Sequence, residues 1–307
     1  MSLTITNLTK TYGNGAKPAL DHVNLTVQPV IYGLFGRNGA GKSTLLGLIA
    51  NRLLPTSGMV MLDGANVRDN EIAQGRIYLV NETRPFLWPV RLSAIFRREE
   101  RYYGGFDWGF CSRMLAEFGV VPGAMYGNLS LGQRQIVQLV AALCVPVDVL
   151  LLDEPVSGLD AANRQLFYRF LLESYAERPR TIVISTHVID EIAHVIERAI
   201  ILDQGHVVDE FAAEAVDSRA AMLVGDENTV DEFIADAGLG VVAKEQMGRL
   251  ASVTVRGEID ANDLPEGIFA SGLSLQDYVI AATGQSGNVA GDAAADPTPM
   301  TTNAGER

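Results

Sequence analysis

The chain has 307 residues, of which 48% are hydrophobic and 20% charged, with a formal net charge of −13; this globular composition provides for one large core or two modest ones and excludes disorder throughout. From Phe211 onward about 16 acidic residues stand against about 5 basic ones, and no Lys/Arg stripe occurs of the kind that phosphate-backbone binding is built on, so a nucleic-acid partner is not expected. No apolar run approaches the roughly 18 residues of a membrane span, and the opening MSLTITNLTK lacks the basic-then-apolar pattern of a signal peptide, so a cytoplasmic location is expected.

In chain order, LTIT (3–6), NLTV (24–27) and MVML (59–62) read as antiparallel edge strands. IYGLF (31–35), VLLLD (149–153), TIVIS (181–185) and AIILD (199–203) are the continuous apolar runs of strands covered on both faces. Between Arg84 and Val145 helical patterning dominates, which suggests a helical insertion into an α/β unit. After the turn at Gln204 and Gly205 comes a final strand, HVVDEF. Residues 212–283 then read as a small acidic α+β appendage: AMLVG, a helical TVDEFIADAG, VVAKEQ, LASVTV and a last helix near LQDYVIAAT. Residues 284–307 carry too few large apolar groups to pack and are expected to be disordered. Cys111 and Cys144 are distant in sequence, with no C-x-x-C and no histidine cluster, so reduced, buried thiols are expected.

Three stretches carry chemistry. GRNGAGKST fits G-x-x-x-x-G-K-[ST] between a strand and a helix, so Gly36, Arg37, Asn38, Gly39, Ala40, Gly41, Lys42, Ser43 and Thr44 form a candidate phosphate cradle. Its glycines let backbone N–H groups curl around a phosphate, Lys42 reaches the β- and γ-phosphates, and the Ser43 hydroxyl is a Mg²⁺ ligand. In VLLLDEP, Asp153 ends a buried strand, where a carboxylate calls for a cation such as Mg²⁺, and Glu154 beside it is placed as general base on an attacking water. In LSLGQRQ, Ser130 and Gln133 form a capping box opening a helix that Pro146 ends, and the same open N-terminus is suited to an anion.

With these motifs in this order, the chain resembles the nucleotide-binding subunits of the ATP-binding cassette (ABC) family over residues 3–210. The resemblance implies a P-loop NTPase cassette with a mixed central sheet, an antiparallel β subdomain and a helical insertion within residues 1–211. It also implies ATP and Mg²⁺ as cofactors. Tyr12 takes the place of the family's adenine-stacking aromatic, and LSLGQ, with Ser130, Gly132 and Gln133, that of the signature. SGLD, ending at Asp160, is similar to the loop that crosses the dimer interface, and His187 matches the histidine that contacts the γ-phosphate. Asn81 stands where the family usually has a glutamine, which puts its reach toward Mg²⁺ or water in doubt, and Leu131 replaces the first of two usual signature glycines. His22, His194 and His206 fit no motif.

The leading expectation is an ATP-hydrolysing motor of a membrane transporter, working as a head-to-tail dimer of nucleotide-binding subunits beneath a separate permease at the inner face of the membrane. Residues FLWPVRLSAIF (86–96) are either a docking surface for that permease or core. Exporters of the drug or antibiotic type are the closer resemblance. Two other classes stay open, a soluble non-transport ABC ATPase and a regulatory module that holds ATP without hydrolysing it. The single phosphate loop and the short span between it and LSLGQ argue against the first, and intact Lys42, Asp153, Glu154 and His187 against the second.

Overall fold

Alternation of apolar and polar side chains starts the chain as an antiparallel sheet, and continuous apolar runs then build the centre. The computed structural model describes residues 1–13, 15–81, 90–257, 259 and 264–284. It runs β1 (Leu3–Lys10), β2 (Leu20–Val27), β3 (Ile31–Phe35), α1 (Lys42–Ile49), β4 (Ser57–Leu62), β5 (Ala65–Asn66), α2 (Glu71–Gln74) and β6 (Ile77–Val80). Helices α3 (Leu92–Tyr103), α4 (Trp108–Glu117) and α5 (Leu131–Cys144) follow, then β7 (Val149–Asp153), α6 (Ala161–Glu177), β8 (Thr181–Ser185), α7 (Ile189–Ile192), β9 (Arg198–Asp203) and β10 (His206–Ala212). The last part comprises α8 (Val216–Arg219), β11 (Ala220–Asp226), α9 (Glu227–Ala237), β12 (Gly240–Met247), β13 (Leu250–Arg256), β14 (Phe269–Gly272) and α10 (Leu275–Gly284).

One sheet has the order β2-β1-β4-β5 and a second β10-β9-β3-β8-β7-β6, parallel except for β10. The mixed central sheet explains why its strands lack polar alternation: each contributes to a core on both faces. Ile31, Phe35, Leu150, Leu152, Ile182 and Ile184 face one cluster with the helices, while Tyr32, Leu34, Val149, Leu151 and Val183 face the other with α1 and the antiparallel sheet. The expected runs coincide with β3, β7 and β8 and lie within β9. The short strand β6, which pairs with β7 at the sheet edge, was not expected.

Of FLWPVRLSAIF, residues 86–89 lie outside the described residues. Leu92, Ile95 and Phe96 are core, because α3 turns its apolar stripe inward against α5. Those three side chains therefore belong to packing, not to a docking surface. Cys111 and Cys144 are free and buried, and their side chains meet between α4 and α5, where burial holds the Cys144 thiol far above the ordinary thiol range.

The third sheet is antiparallel, in the order β12-β13-β11-β14. Val230 and Ile234 of α9 pack on Leu223, Val253 and Val255 on one face. The unexpected β14 pairs with β11. Helix α10 follows a different allegiance, for its Leu275, Tyr278 and Val279 join the main helical core. Tyr278 is fully buried, with its ring at 5.3 Å from that of Phe211, and its hydroxyl donates to Asp209 Oδ2 at 2.6 Å. Arg219 pairs with the other oxygen of Asp209 at 2.5 Å. Burial alone would raise the Asp209 carboxyl, but the hydrogen bonds from Arg219 and Tyr278 outweigh it and hold the group below its ordinary range. Residues 285–307, the segment expected to be disordered apart from Gly284, lie outside the described residues.

Candidate active site

Parallel register brings the site together. β3, β7 and β8 run side by side with Leu34 opposite Ser185 and Ser185 opposite Asp153, so the segments leaving their C-terminal ends converge on one edge. There, Phe35 leads into the phosphate loop, Asp153 into Glu154, and Ser185 into Thr186 and His187.

The loop conformation needs glycine at defined places. Gly36 has φ 148°, and a Cβ there would lie 2.1 Å from the Leu202 carbonyl oxygen; Gly41 has φ 109°, and its Cβ would lie 2.5 Å from the Ala19 carbonyl oxygen. Backbone approach this close leaves no room for any side chain. Gly41 is also the N-cap of α1 and supplies no capping side chain, whereas Asp107, Ser130 and Asp160 cap α4, α5 and α6. The first-turn amides of α1 therefore face outward without an intrahelical acceptor, a site for an anion. Lys42 is buried and its Nζ donates to the carbonyls of Gly36 at 2.7 Å and Arg37 at 3.2 Å. Burial lowers the Lys42 ammonium from its ordinary range, while the negative charges of Glu154 and Asp153 oppose that shift. Ser43 is exposed at the same helix end, and Thr44 receives Tyr12, whose hydroxyl lies 3.3 Å from Thr44 Oγ1. The Tyr12 ring is 55% exposed, which leaves a face open beside the loop.

Across from the loop, Asp153 Oδ1 accepts a hydrogen bond from Ser185 Oγ at 2.5 Å. Glu154 has φ 47°, a left-handed conformation that costs a non-glycine residue about 1–2 kcal/mol. Its amide donates to Ser185 O at 2.9 Å, and its Oε2 lies 2.9 Å from His187 Nδ1. Lys42, Asp153, Glu154 and His187 are thus gathered at one edge. Asn81 follows β6 at the same sheet end.

Ser130 and Gln133 lie elsewhere in the chain's own geometry. The capping box is complete: Gln133 N donates to Ser130 Oγ at 3.2 Å and Ser130 N to Gln133 Oε1 at 3.1 Å. The signature packs beside SGLD, where a Cβ on Gly132 would lie 3.4 Å from the Gly158 carbonyl oxygen. Leu131 is 68% exposed there, apolar area left open at a helix start. Asp160 caps α6 through Asn163 N at 2.9 Å. Two contributors were missed from sequence. Ser185 carried one signal, a polar residue closing a buried strand; Gln135, whose Nε2 donates to Pro155 O at 2.8 Å and ties α5 to the loop after Glu154, carried none beyond its place in the signature helix. His22, His194 and His206 are exposed.

Comparison with known proteins gives the arrangement a family. Residues 20–157 match the ABC transporter family. The methionine import ATP-binding protein MetN of Caulobacter vibrioides is 30% identical over 275 residues, covering 83% of this chain and 79% of that protein. The chain belongs to the ABC transporter family. The bacitracin transport ATP-binding protein BcrA of Bacillus licheniformis is 31% identical, with 70% of this chain and 71% of that protein covered. Among solved structures, a dimeric post-hydrolysis state of an ATP-binding cassette bound to ADP and Pi is similar with TM-score 0.60 and 26% identity, over 69% of this chain and 98% of that one.

The ABC chain is an ATP-binding subunit whose activity is ATP hydrolysis, and the family's subunits dimerise and serve membrane permease components. Its relatives include an import protein and a bacitracin transport protein. No helix among the described residues is long and apolar enough to cross a membrane. Its donor set fits Mg²⁺: no group of three or more His, Cys, Asp or Glu is gathered as an all-protein cage among the described residues, and a hydroxyl with one carboxylate suits an ion whose other ligands are phosphate and water oxygens.

Proposed function

We propose that this chain is the hydrolytic motor of an exporter-type ABC transporter, two nucleotide-binding subunits closing head to tail on ATP beneath a separate permease at the inner face of the cell membrane. The observation that carries the site assignment is the 2.9 Å contact of Glu154 with His187 at the rim of an uncapped helix N-terminus holding Lys42. Residues 36–44 cradle the phosphates through backbone N–H groups, and Tyr12 stacks on the adenine. Ser43 and Asp153, with Asn81 alongside, would hold Mg²⁺, which when bound neutralises charge on the phosphate oxygens.

Glu154 takes the proton from the attacking water. His187, exposed and beside it, donates to the γ-phosphate oxygens and keeps the base oriented. The partner's signature, entered at Ser130, Gly132 and Gln133, completes the site from the other side, with Asp160 at the crossing loop. Support for this division comes from the complete capping box at the start of the signature helix, whose side-chain hydrogen bonds stay between Ser130 and Gln133, and from its packing beside SGLD. The export direction rests on the resemblance of the segment from SGLD to Gly205 to exporter subunits, beside similarity to a bacitracin transport protein; the similarity to the import protein MetN is the observation on the other side.

Glu154→Gln tests the central role. The expected outcome is ATP binding unchanged in an equilibrium assay and turnover reduced by about 10³-fold or more, since the amide cannot accept the proton. Wild-type turnover in that variant would assign the base elsewhere.

A further inference from the structure

His187 is only as well placed as α7. That helix has four residues, no capping side chain at its start, and too few backbone hydrogen bonds to hold itself. Ile189 and Ile192 bury on one side, but they fix depth rather than rotation. The polar tie comes from α6: Arg164 Nη1 lies 3.0 Å from Glu191 Oε1, with the two side chains only 28% and 32% exposed. Arg164 is itself fixed by the start of α6, its amide donating to Asp160 O at 3.0 Å one turn after SGLD.

The surroundings of this pair are unusual. Arg164 Nε, Glu191 Oε2 and the hydroxyl of Tyr168 are buried with no hydrogen-bond partner among the described residues. Tyr168, one turn after Arg164, is 4% exposed, and these three side chains border a cavity of about 490 Å³ between α6 and α7, together with Leu172 and His194. A donor and an acceptor left unpaired around free space call for an explanation. A shift of α7 that let Glu191 Oε2 accept from the Tyr168 hydroxyl would pair those two of the three atoms, and the cavity would give it room.

We propose that Arg164 and Glu191 are positioning residues for ATP hydrolysis, their ion pair transmitting contact at the SGLD loop to α7 and His187, with Tyr168 as the second donor that Glu191 meets when α7 shifts. The inference rests on the reading that His187 acts at the γ-phosphate. Geometry alone links the three side chains, because they lie on two elements separated in sequence and belong to neither the phosphate loop nor the signature.

The test is steady-state ATPase kinetics of the full chain for Arg164→Ala, Glu191→Gln, Tyr168→Phe and the reversed pair Arg164→Glu/Glu191→Arg, with His187→Ala alongside. The first two are expected to lower kcat about tenfold with the KM for ATP and the Tm little changed, and the reversed pair to recover to within about threefold. Tyr168→Phe is expected to lower kcat about threefold at unchanged KM. An unchanged kcat in Arg164→Ala and Glu191→Gln, with His187→Ala inactive, overturns the inference alone. Losses that follow the Tm and are not recovered by charge reversal also overturn it, since a merely structural bridge behaves that way. Wild-type turnover in His187→Ala removes the reading on which both stand.

Discussion

At the scale of single residues, the site depends on positions where an ordinary side chain has no room or an ordinary backbone no comfort. Gly36→Ala would drive a methyl group to 2.1 Å from Leu202 O, so the loop must leave its place. We expect this variant to lose ATP binding by at least about tenfold and stability by about 1–3 kcal/mol, measured by equilibrium ATP titration and thermal unfolding. Gly39 has φ 84° but no atom within 4 Å of where a Cβ would stand, so conformation and not crowding requires glycine there. Residue types and spacing made Lys42, Asp153 and Glu154 legible as candidates in sequence and the ABC resemblance added His187, and the structure brings these four to one sheet edge. The left-handed φ of Glu154 and the hydrogen bond from Ser185 to Asp153 were not legible there, since both arise from the pairing of β7 with β8. Arg164 and Glu191 were hidden for the same reason, being 27 positions apart and joined only by the packing of α6 on α7.

Among elements, the four central strands were plain in the sequence because both faces are covered and nearly every residue is apolar. β6 and β14 were not, having four residues each and, in β14, an exposed edge. Helix α10 shows a further limit. Its stripe announces a helix, but not that the helix docks on the nucleotide-binding part through Asp209, Tyr278 and Arg219. Asp209→Asn is expected to lower stability by about 1–3 kcal/mol near neutral pH, since it removes the charge from a buried carboxylate whose partner Arg219 is part-exposed. The pH dependence follows from the depressed carboxyl: its contribution is present above the ordinary carboxylate value of about 4 and is lost as pH falls toward the folded-state value. Denaturant titrations of both proteins should therefore show the gap narrowing below about pH 4, whereas a constant gap would mean that the anchor does not depend on charge.

Considered whole, the molecule carries the two parts that the proposed head-to-tail dimer would bring together from different subunits. The phosphate loop and the Glu154–His187 pair lie at the edge of the central sheet, while the capped start of α5 opens beside SGLD with Leu131 exposed. In the proposed dimer the capping box and the anion site are one device, whose anion belongs to the other subunit. Ser130→Arg should leave ATP binding to the isolated chain nearly intact, because the hydrogen bonds at Ser130 run to Gln133 and not to the phosphate loop. The most direct measurement mixes two inactive variants, Lys42→Ala and Ser130→Arg, in equal amounts. If each site combines one subunit's phosphate loop with the other's signature, a mixed pair keeps one complete site, and turnover should return to roughly a quarter of wild type, since half of the pairs are mixed and each retains one site of two. A mixture as inactive as its parts, although mixed pairs form, would contradict the account and return LSLGQ to a structural cap.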